Sequence, residues 1–346
     1  MAKIFVTGGT GFIGQRLVLR LLGEGHDVIC GVRPRSIRSH LETAARDLPG
    51  ELRFVIADVG IPDTLGGPIH EAEIVLHLAA MLRAPWDPGF DYINAEGTRN
   101  IFEHAAEKAN PPTVVLVSSV AACGPAPDGP DGRARVEADP PAPVSRYGRS
   151  KRAGEVAAEA HAGRVPVTII RPPAVYGPGD RNSFKLFESA AKGWAIVPTS
   201  GEPRMSMVHV DDLVWGIIAA MERGERLPAD PAADPGRGVY FLAHPEQPTI
   251  ATIGQWIGGA FGKNVRVAHL PGWVTRTGGA MGEAWARMRG KASIVNLDKA
   301  REATAGSWIC AIDKAHEQLG FAPPRTMQER LTETALWYRE RGWLPR

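Results

Sequence analysis

Cysteine is scarce in this chain of 346 residues: Cys30, Cys123 and Cys310 lie far apart and form no C-x-x-C pair. That argues against a disulfide framework or a cysteine zinc site, and the chain is expected in a reducing compartment, with the cytoplasm as default. An excess of either charge is also missing. Lys and Arg number 40 against 38 Asp and Glu, for a formal charge of +2. With no long basic run, no nucleic acid or anionic membrane partner is expected. Long apolar stretches are absent too: nothing approaches the roughly 18 residues that span a bilayer. The first apolar run, residues 4–6, is followed by Gly8 and is too short for a signal-peptide core. No internal repeat and no His/Cys/Asp cluster with metal-ligand spacing is evident, so no metal is expected. A hydrophobic content of 44% and a charged content of 23% belong to a soluble globular chain. Its length suits one large domain, or a main domain with a smaller one.

What is present is alternation. "KIFVT", "DVICGV", "LRFVIAD", "EIVLHLAA", "TVVLVSS" and "VTIIRP" read as short strands, beginning at residues 3, 27, 52, 73, 113 and 167. Several are apolar throughout, the mark of strands covered on both faces of a parallel sheet. Between them run helical patterns: Ile13, Leu17 and Leu21 recur every four residues, a polar helix is expected near 39–48, and another over 95–109. Strand–helix alternation with short connections predicts an α/β, doubly wound parallel sheet. Residues 124–145 are dominated by Pro and Gly and read as a long loop. Further helices are expected at 183–192, 211–221, 250–261, 273–289 and 326–341. The resulting division is a dinucleotide-binding domain over 1–172, to which 208–245 return. Residues 173–207 and 246–346 form a smaller, mainly helical substrate-binding part.

Gly8, Gly11 and Gly14 form G-x-x-G-x-x-G between the first strand and the first helix. A glycine pattern alone is weak evidence, and a bare tight turn would look the same. Strand–turn–helix is the context in which the turn admits a pyrophosphate to the helix N-terminus. The second strand ends "GVRPRS". Val32 stands where an acid would bind the ribose hydroxyls of NAD(H), and Arg33 follows. An Arg there accommodates a 2′-phosphate, so NADP(H) is favoured over NAD(H), against the plainer reading of a solvated basic loop. The expected cofactor contacts are Thr7, Gly8, Gly11, Phe12, Ile13 and Gly14, then Arg33, Asp58, Val59, Leu78, Ala79 and Ala80, and finally Tyr147, Lys151 and Pro172. Asp58 would equally serve as a helix cap. His77 is read as a core or cleft-edge residue.

"SRYGRSK" sets Tyr147 and Lys151 four apart, on one face of a helix. A free Tyr has a pKa of about 10, and a nearby ammonium is expected to lower it, tuning a proton donor or acceptor. The spacing is common on surface helices; it gains force from Ser118 and Ser119, which end a buried strand at the same sheet edge as the glycine turn.

With these residues assembled, the chain resembles the extended short-chain dehydrogenases/reductases, the superfamily of NAD-dependent epimerases and dehydratases. The matching segments are "TGGTGFIG", "ADV", "HLAA", "NAEGTRN", "VSSVAACG", "YGRSK", "RPPAVYGPGD" and "VHVDD", in the family's order. The resemblance implies Ser119 as catalytic serine, Tyr147 as acid/base, Lys151 as its ribose-binding partner and Asn94 as a weaker fourth member. Where many members carry Tyr before Gly124, this chain has Cys123, read as a small buried residue rather than a reactive thiol. Members often form homodimers through two helices, here within 94–109 and 147–162.

The resemblance also divides the substrates. Nucleotide-sugar members usually carry Asn three residues after the Arg of the "RP" segment, and Arg four residues before the His of "VHVDD". Here those positions are Ala174 and Met205, with Arg204 one step off, which on a strand turns the side chain to the other face. "RPPAVYGPGD" and the C-terminal segments look more like the dihydroflavonol reductase and 3β-hydroxysteroid dehydrogenase branch. The expectation is an oxidoreductase interconverting a carbonyl and a secondary alcohol on a mostly apolar or polycyclic small molecule. The alternatives are a nucleotide-sugar epimerase or dehydratase with tightly held cofactor, and a non-catalytic cofactor sensor. Trp194, Trp256, Trp273 and Trp285 are read as a pocket lid or, for most of them, as core.

Overall fold

The computed structural model describes residues 1–82, 88–127, 129, 132–288 and 297–344, with the side chains of 88 and 286–288 left aside. The first part runs β1 (Lys3–Thr7), α1 (Phe12–Gly23), β2 (Asp27–Val32), α2 (Ser39–Ala44), β3 (Leu52–Ile56), α3 (Gly66–Glu71) and β4 (Ile74–His77). After a single turn α4 (Pro88–Phe90), a π turn over Asp91–Glu96 leads into α5 (Gly97–Glu107). Then come β5 (Thr113–Val117), α6 (Arg146–Glu159) and β6 (Val167–Arg171). The remainder runs β7 (Ala174–Tyr176), α7 (Phe184–Ala191), β8 (Trp194–Val197), β9 (Met207–His209), α8 (Val210–Arg223) and β10 (Val239–Phe241). It closes with α9 (Ile250–Gly259), β11 (Arg266–His269), α10 (Gly272–Met288), α11 (Leu297–Ala303), α12 (Asp313–Leu319) and α13 (Met327–Glu340).

Seven strands pair in parallel in the order β10-β6-β5-β4-β1-β2-β3. The order reverses between β1 and β4, and a sheet of this kind opens a crevice at that point, outside the carboxyl ends of the strands. The apolar runs are the central strands: β1 is buried from its second residue on and β6 throughout. One face packs on α1, α8 and α12 through Leu17, Leu21, Leu213, Ile217 and Leu319. The other packs on α3, α5 and α6 through Ile69, Ile101, Phe102 and Ala158. This is the doubly wound sheet expected, with boundaries shifted by a few residues. The helix expected over 39–48 ends at Ala44, and that over 95–109 begins as a π turn and ends at Glu107.

The second part gathers around Tyr176, Phe187, Ile257, Met327, Leu331 and Tyr338. It is mainly helical, with two short parallel pairs, β8 with β11 and β7 with β9. The helix expected over 273–289 is α10; residue 289 lies outside the described residues. Trp256 packs against this core, but Trp194, Trp273 and Trp285 are exposed, so most of the four tryptophans are not core residues. Among the described residues no helix is long and apolar enough to cross a membrane.

Candidate active site

Gly8 takes φ +72°, and a Cβ there would lie 2.8 Å from the Ala79 amide nitrogen. The turn therefore rests directly on the end of β4, at the point where the strand order reverses. A Cβ on Gly14 would strike the Gly8 carbonyl at 2.2 Å, so α1 sits as close behind the turn as backbone allows. Gly11 caps α1, and no side chain occupies its first amides. Phe12 and Ile13 begin that helix, and its N–H groups and partial positive charge form a ready seat for a dinucleotide pyrophosphate. Arg16 anchors the helix from behind, donating to Asp211 at 2.6 Å and to the Pro178 carbonyl at 3.0 Å.

The other expected cofactor residues divide by where they face. Arg33 is exposed just beyond β2, its amide donating to the Ser36 hydroxyl at 3.1 Å. Asp58 accepts from the Gly60 amide at 3.0 Å, closing a local turn; it caps no helix, since the turn that follows is capped at Ile61. Val59 is buried in the core beneath α5. The Thr7 hydroxyl is turned inward: it meets His77 Nδ1 at 2.7 Å and accepts from the Ala79 amide at 3.2 Å. His77 is a buried core histidine, its Nε2 3.1 Å from Thr98, and burial together with the charge of Lys151 drives its pKa down to about 3. Leu78, Ala79 and Ala80 follow β4 and are half-buried along the crevice.

Ser119 follows β5 and opens a short 3-10 turn, its hydroxyl accepting from the Ala121 amide at 3.1 Å. The Pro172 carbonyl, just past β6, holds the neighbouring Val120 amide at 3.0 Å. α6 brings Tyr147 and Lys151 against this segment. A Cβ on Gly148 would lie 2.3 Å from the Ala121 carbonyl oxygen, so only glycine lets the helix come so near. Lys151 is buried and donates to the Val117 carbonyl at 2.8 Å; burial drives its ammonium down to about 8, with Glu155 opposing. Beneath it, Glu155 and Arg171 form a fully buried bidentate pair at 2.9 and 2.8 Å. Asn94 is buried in the π turn. It accepts from the Met81 amide at 2.7 Å, and donates to the Met81 carbonyl at 3.0 Å and to Ser150 at 2.9 Å.

Two expectations are corrected here. Burial pushes the Tyr147 phenol up to about 12 rather than down; a hydrogen bond with Ser119 opposes the rise and Glu302 adds to it. Lys151 was expected to lower it, but its ammonium is held by the Val117 carbonyl, and desolvation of the phenolate dominates. A grouping of possible ligands does occur: atoms of His70, His104 and Glu107 lie within 4.8 Å of one another, close enough to share an ion. Thirty-four residues separate the two histidines, which hid the grouping. It sits on α3 and α5, on elements other than those carrying Ser119, Tyr147 and Lys151, and its side chains pair with one another at 3.2 and 3.3 Å. Cys123 matches its expectation: it is buried and its thiol is pushed up to about 11, mainly by burial.

The third side of the site could not be read from the sequence. The Asp298 carboxylate of α11 accepts from the backbone amides of Arg146 at 2.7 Å and Tyr147 at 3.2 Å, 151 residues away from the latter. The Lys299 ammonium lies 5.4 Å from the centre of the Tyr147 ring.

The model of the NAD dependent epimerase/dehydratase family matches residues 4–231. The chain belongs to this family. As a member of it, the chain is an NAD(P)-dependent oxidoreductase of the extended short-chain type. It is 31% identical to a ceramide reductase of Caulobacter vibrioides, over 99% of this chain and 96% of that one. It is 25% identical to a UDP-glucose 4-epimerase of Vibrio cholerae, over 96% and 94% of the two chains. It is 26% identical to a 3-beta-hydroxysteroid dehydrogenase of Mycolicibacterium neoaurum, over 98% and 92%. Among solved structures, gox2253 superposes with a TM-score of 0.76 at 25% identity, covering 99% of this chain and 100% of that one.

Proposed function

We propose that this protein is an NADPH-dependent carbonyl reductase that converts a ketone on a mostly apolar, lipid-like or polycyclic substrate to a secondary alcohol. Residues 173–207 and 246–346 would supply the substrate-binding part. The observation that carries this reading is the state of the two diphosphate positions. Ala174 has no polar side chain, Met205 leans on the apolar core of the second part, and the neighbouring Arg204 donates instead to Gln247 at 3.2 and 3.1 Å. A dianionic diphosphate would thus lack both of the groups that usually hold it. The likeness to a ceramide reductase along nearly the whole of both chains supports a lipid-like ketone.

Gly8, Gly11 and the first amides of α1 would hold the reduced dinucleotide, which would supply a hydride for the carbonyl carbon. The Ser119 hydroxyl donates to the substrate carbonyl oxygen and orients it. The Tyr147 phenol delivers the proton to that oxygen; held near 12, it stays protonated at neutral pH, the form a reduction needs. Lys151, one turn along α6, is the residue that would meet the ribose, and Asn94 fixes that helix against the π turn. Arg33 is the basis for NADPH over NADH, since a guanidinium pairs well with a dianionic phosphate.

The test is NADPH consumption with long-chain and polycyclic ketones. Tyr147→Phe should keep NADPH binding and lower turnover by about 10²–10⁴-fold, leaving a measurable residual rate, and Arg33→Ala should lose the preference over NADH. Turnover of UDP- or GDP-sugars without net redox, on cofactor that copurifies oxidised, would overturn the reading in favour of an epimerase.

A further inference from the structure

We propose that Asp298 is a positioning residue for Tyr147: its carboxylate fixes the first turn of α6, so the proton donor reaches its working place only when α11 is docked on that turn. The inference rests on the Ser119–Tyr147–Lys151 reading of the site and extends it to a segment outside the matched family region, which ends at residue 231.

The first turn of a helix leaves amides without intrahelical partners. In α6 the first three are all accounted for, by two sources. The Ser145 hydroxyl accepts from the Gly148 amide at 2.9 Å, an ordinary local cap. The amides of Arg146 and Tyr147 go instead to the two oxygens of Asp298, at 2.7 and 3.2 Å. A carboxylate on a helix N-terminus makes charge-assisted bonds and meets the positive end of the helix dipole. One of the two amides belongs to Tyr147 itself, so the clamp acts on the backbone from which the phenol hangs.

α11 touches the same residue a second time. The Lys299 ammonium lies 5.4 Å from the Tyr147 ring centre, and it pairs with Glu302 at 2.6 Å. α11 is in turn tied to α10, where Glu283 accepts from the Leu297 amide at 3.3 Å and stands 3.9 Å from the Arg146 guanidinium. A C-terminal segment thus holds the backbone of Tyr147 on one side while the Gly148–Ala121 contact limits the helix on the other. A displacement near 1 Å at a reacting group is enough to cost about a hundredfold in rate.

The test compares Asp298→Ala and Asp298→Asn with wild type, alone and in the Tyr147→Phe background. Asp298→Ala should lower kcat by about 10–100-fold while NADPH Kd stays within about twofold. Asp298→Asn, which keeps one acceptor oxygen, should fall between the two. Because Asp298 acts through Tyr147, adding Asp298→Ala to Tyr147→Phe should cost nothing further. A kcat within about twofold of wild type in both variants would overturn the proposal, as would equal losses in the two backgrounds. If Asp298→Ala does not fold, the asparagine variant decides alone. Hydrogen exchange at the Arg146 and Tyr147 amides reads the clamp without substrate. Protection should be lost in Asp298→Ala, and unchanged protection refutes the clamp whatever the substrate is. A wild type that turns over no ketone defeats only the proposed function.

Discussion

Gly148→Ala is the sharpest test of how the site is built. The added Cβ would stand 2.3 Å from the Ala121 carbonyl oxygen and 3.1 Å from its carbon, where ordinary contact begins at 3.4 Å. Both obstacles are backbone in the 3-10 turn that follows Ser119, so neither can swing aside. The helix must retreat by roughly 1 Å, carrying Tyr147 away from Ser119. That shift predicts a fall in kcat of about a hundredfold, or about 2.7 kcal/mol of transition-state stabilisation. The overpacking itself should cost about 1–3 kcal/mol of stability. The glycine turn is not on α6, so the pyrophosphate seat should be undisturbed, and NADPH binding, which involves α6 only through Lys151, should weaken far less than kcat. The assay is steady-state ketone reduction beside an NADPH fluorescence titration and a thermal melt. Gly67→Ala, with open space around its Cβ on α3, is the control; it should leave kcat alone and raise stability by up to about 1 kcal/mol. A Gly148→Ala enzyme with wild-type kcat and Tm would refute the idea that this close approach sets the reach of the phenol.

Glu155→Gln should destabilise the protein by about 3–5 kcal/mol, because it leaves the Arg171 guanidinium buried without its charge partner; denaturant titration measures this. His77 titrates near 3 when folded, against 6.5 for a free ring, so the unfolded chain binds more protons between those values. Its contribution is present above about pH 6.5 and fades as pH falls toward 3, to an extent on the order of 4–5 kcal/mol at most. Urea midpoints should drop on acidification, and less steeply in His77→Gln. All three cysteines are buried free thiols, with Cys30 pushed up to about 12 and Cys123 to about 11 by burial. A thiol reagent should find none of them in the native protein and all of them after unfolding.

The strands of the central sheet were legible because burial on both faces leaves solid apolar runs, as in "KIFVT" and "DVICGV". β7, β9 and β10 are three residues each, too short to show a period, and β8 exposes alternate residues. Ser119, Tyr147 and Lys151 could be read because strand ends and helix faces follow from local pattern. The rise in the Tyr147 pKa could not, since it depends on how deeply the phenol is desolvated. Nor could Asp298, because nothing near residue 298 announces a partner 151 positions earlier. The exposure of Trp273 and Trp285 was likewise invisible: a helix pattern names the faces but not how much of each is covered.

The seventh strand has a consequence for how such a chain is inherited. β10 pairs with β6, yet the chain builds β7, α7, β8, β9 and α8 before it reaches β10. Both ends of that excursion sit on adjacent strands roughly 5 Å apart. Cutting the chain after β6 would strip one side of an almost fully buried strand and leave its peptide groups open to pair with another molecule. The part beyond β6 is therefore not an appendage that can be dropped or swapped whole. New specificities must arise as replacements threaded between two fixed points, each made while the sheet that holds the dinucleotide is still being completed.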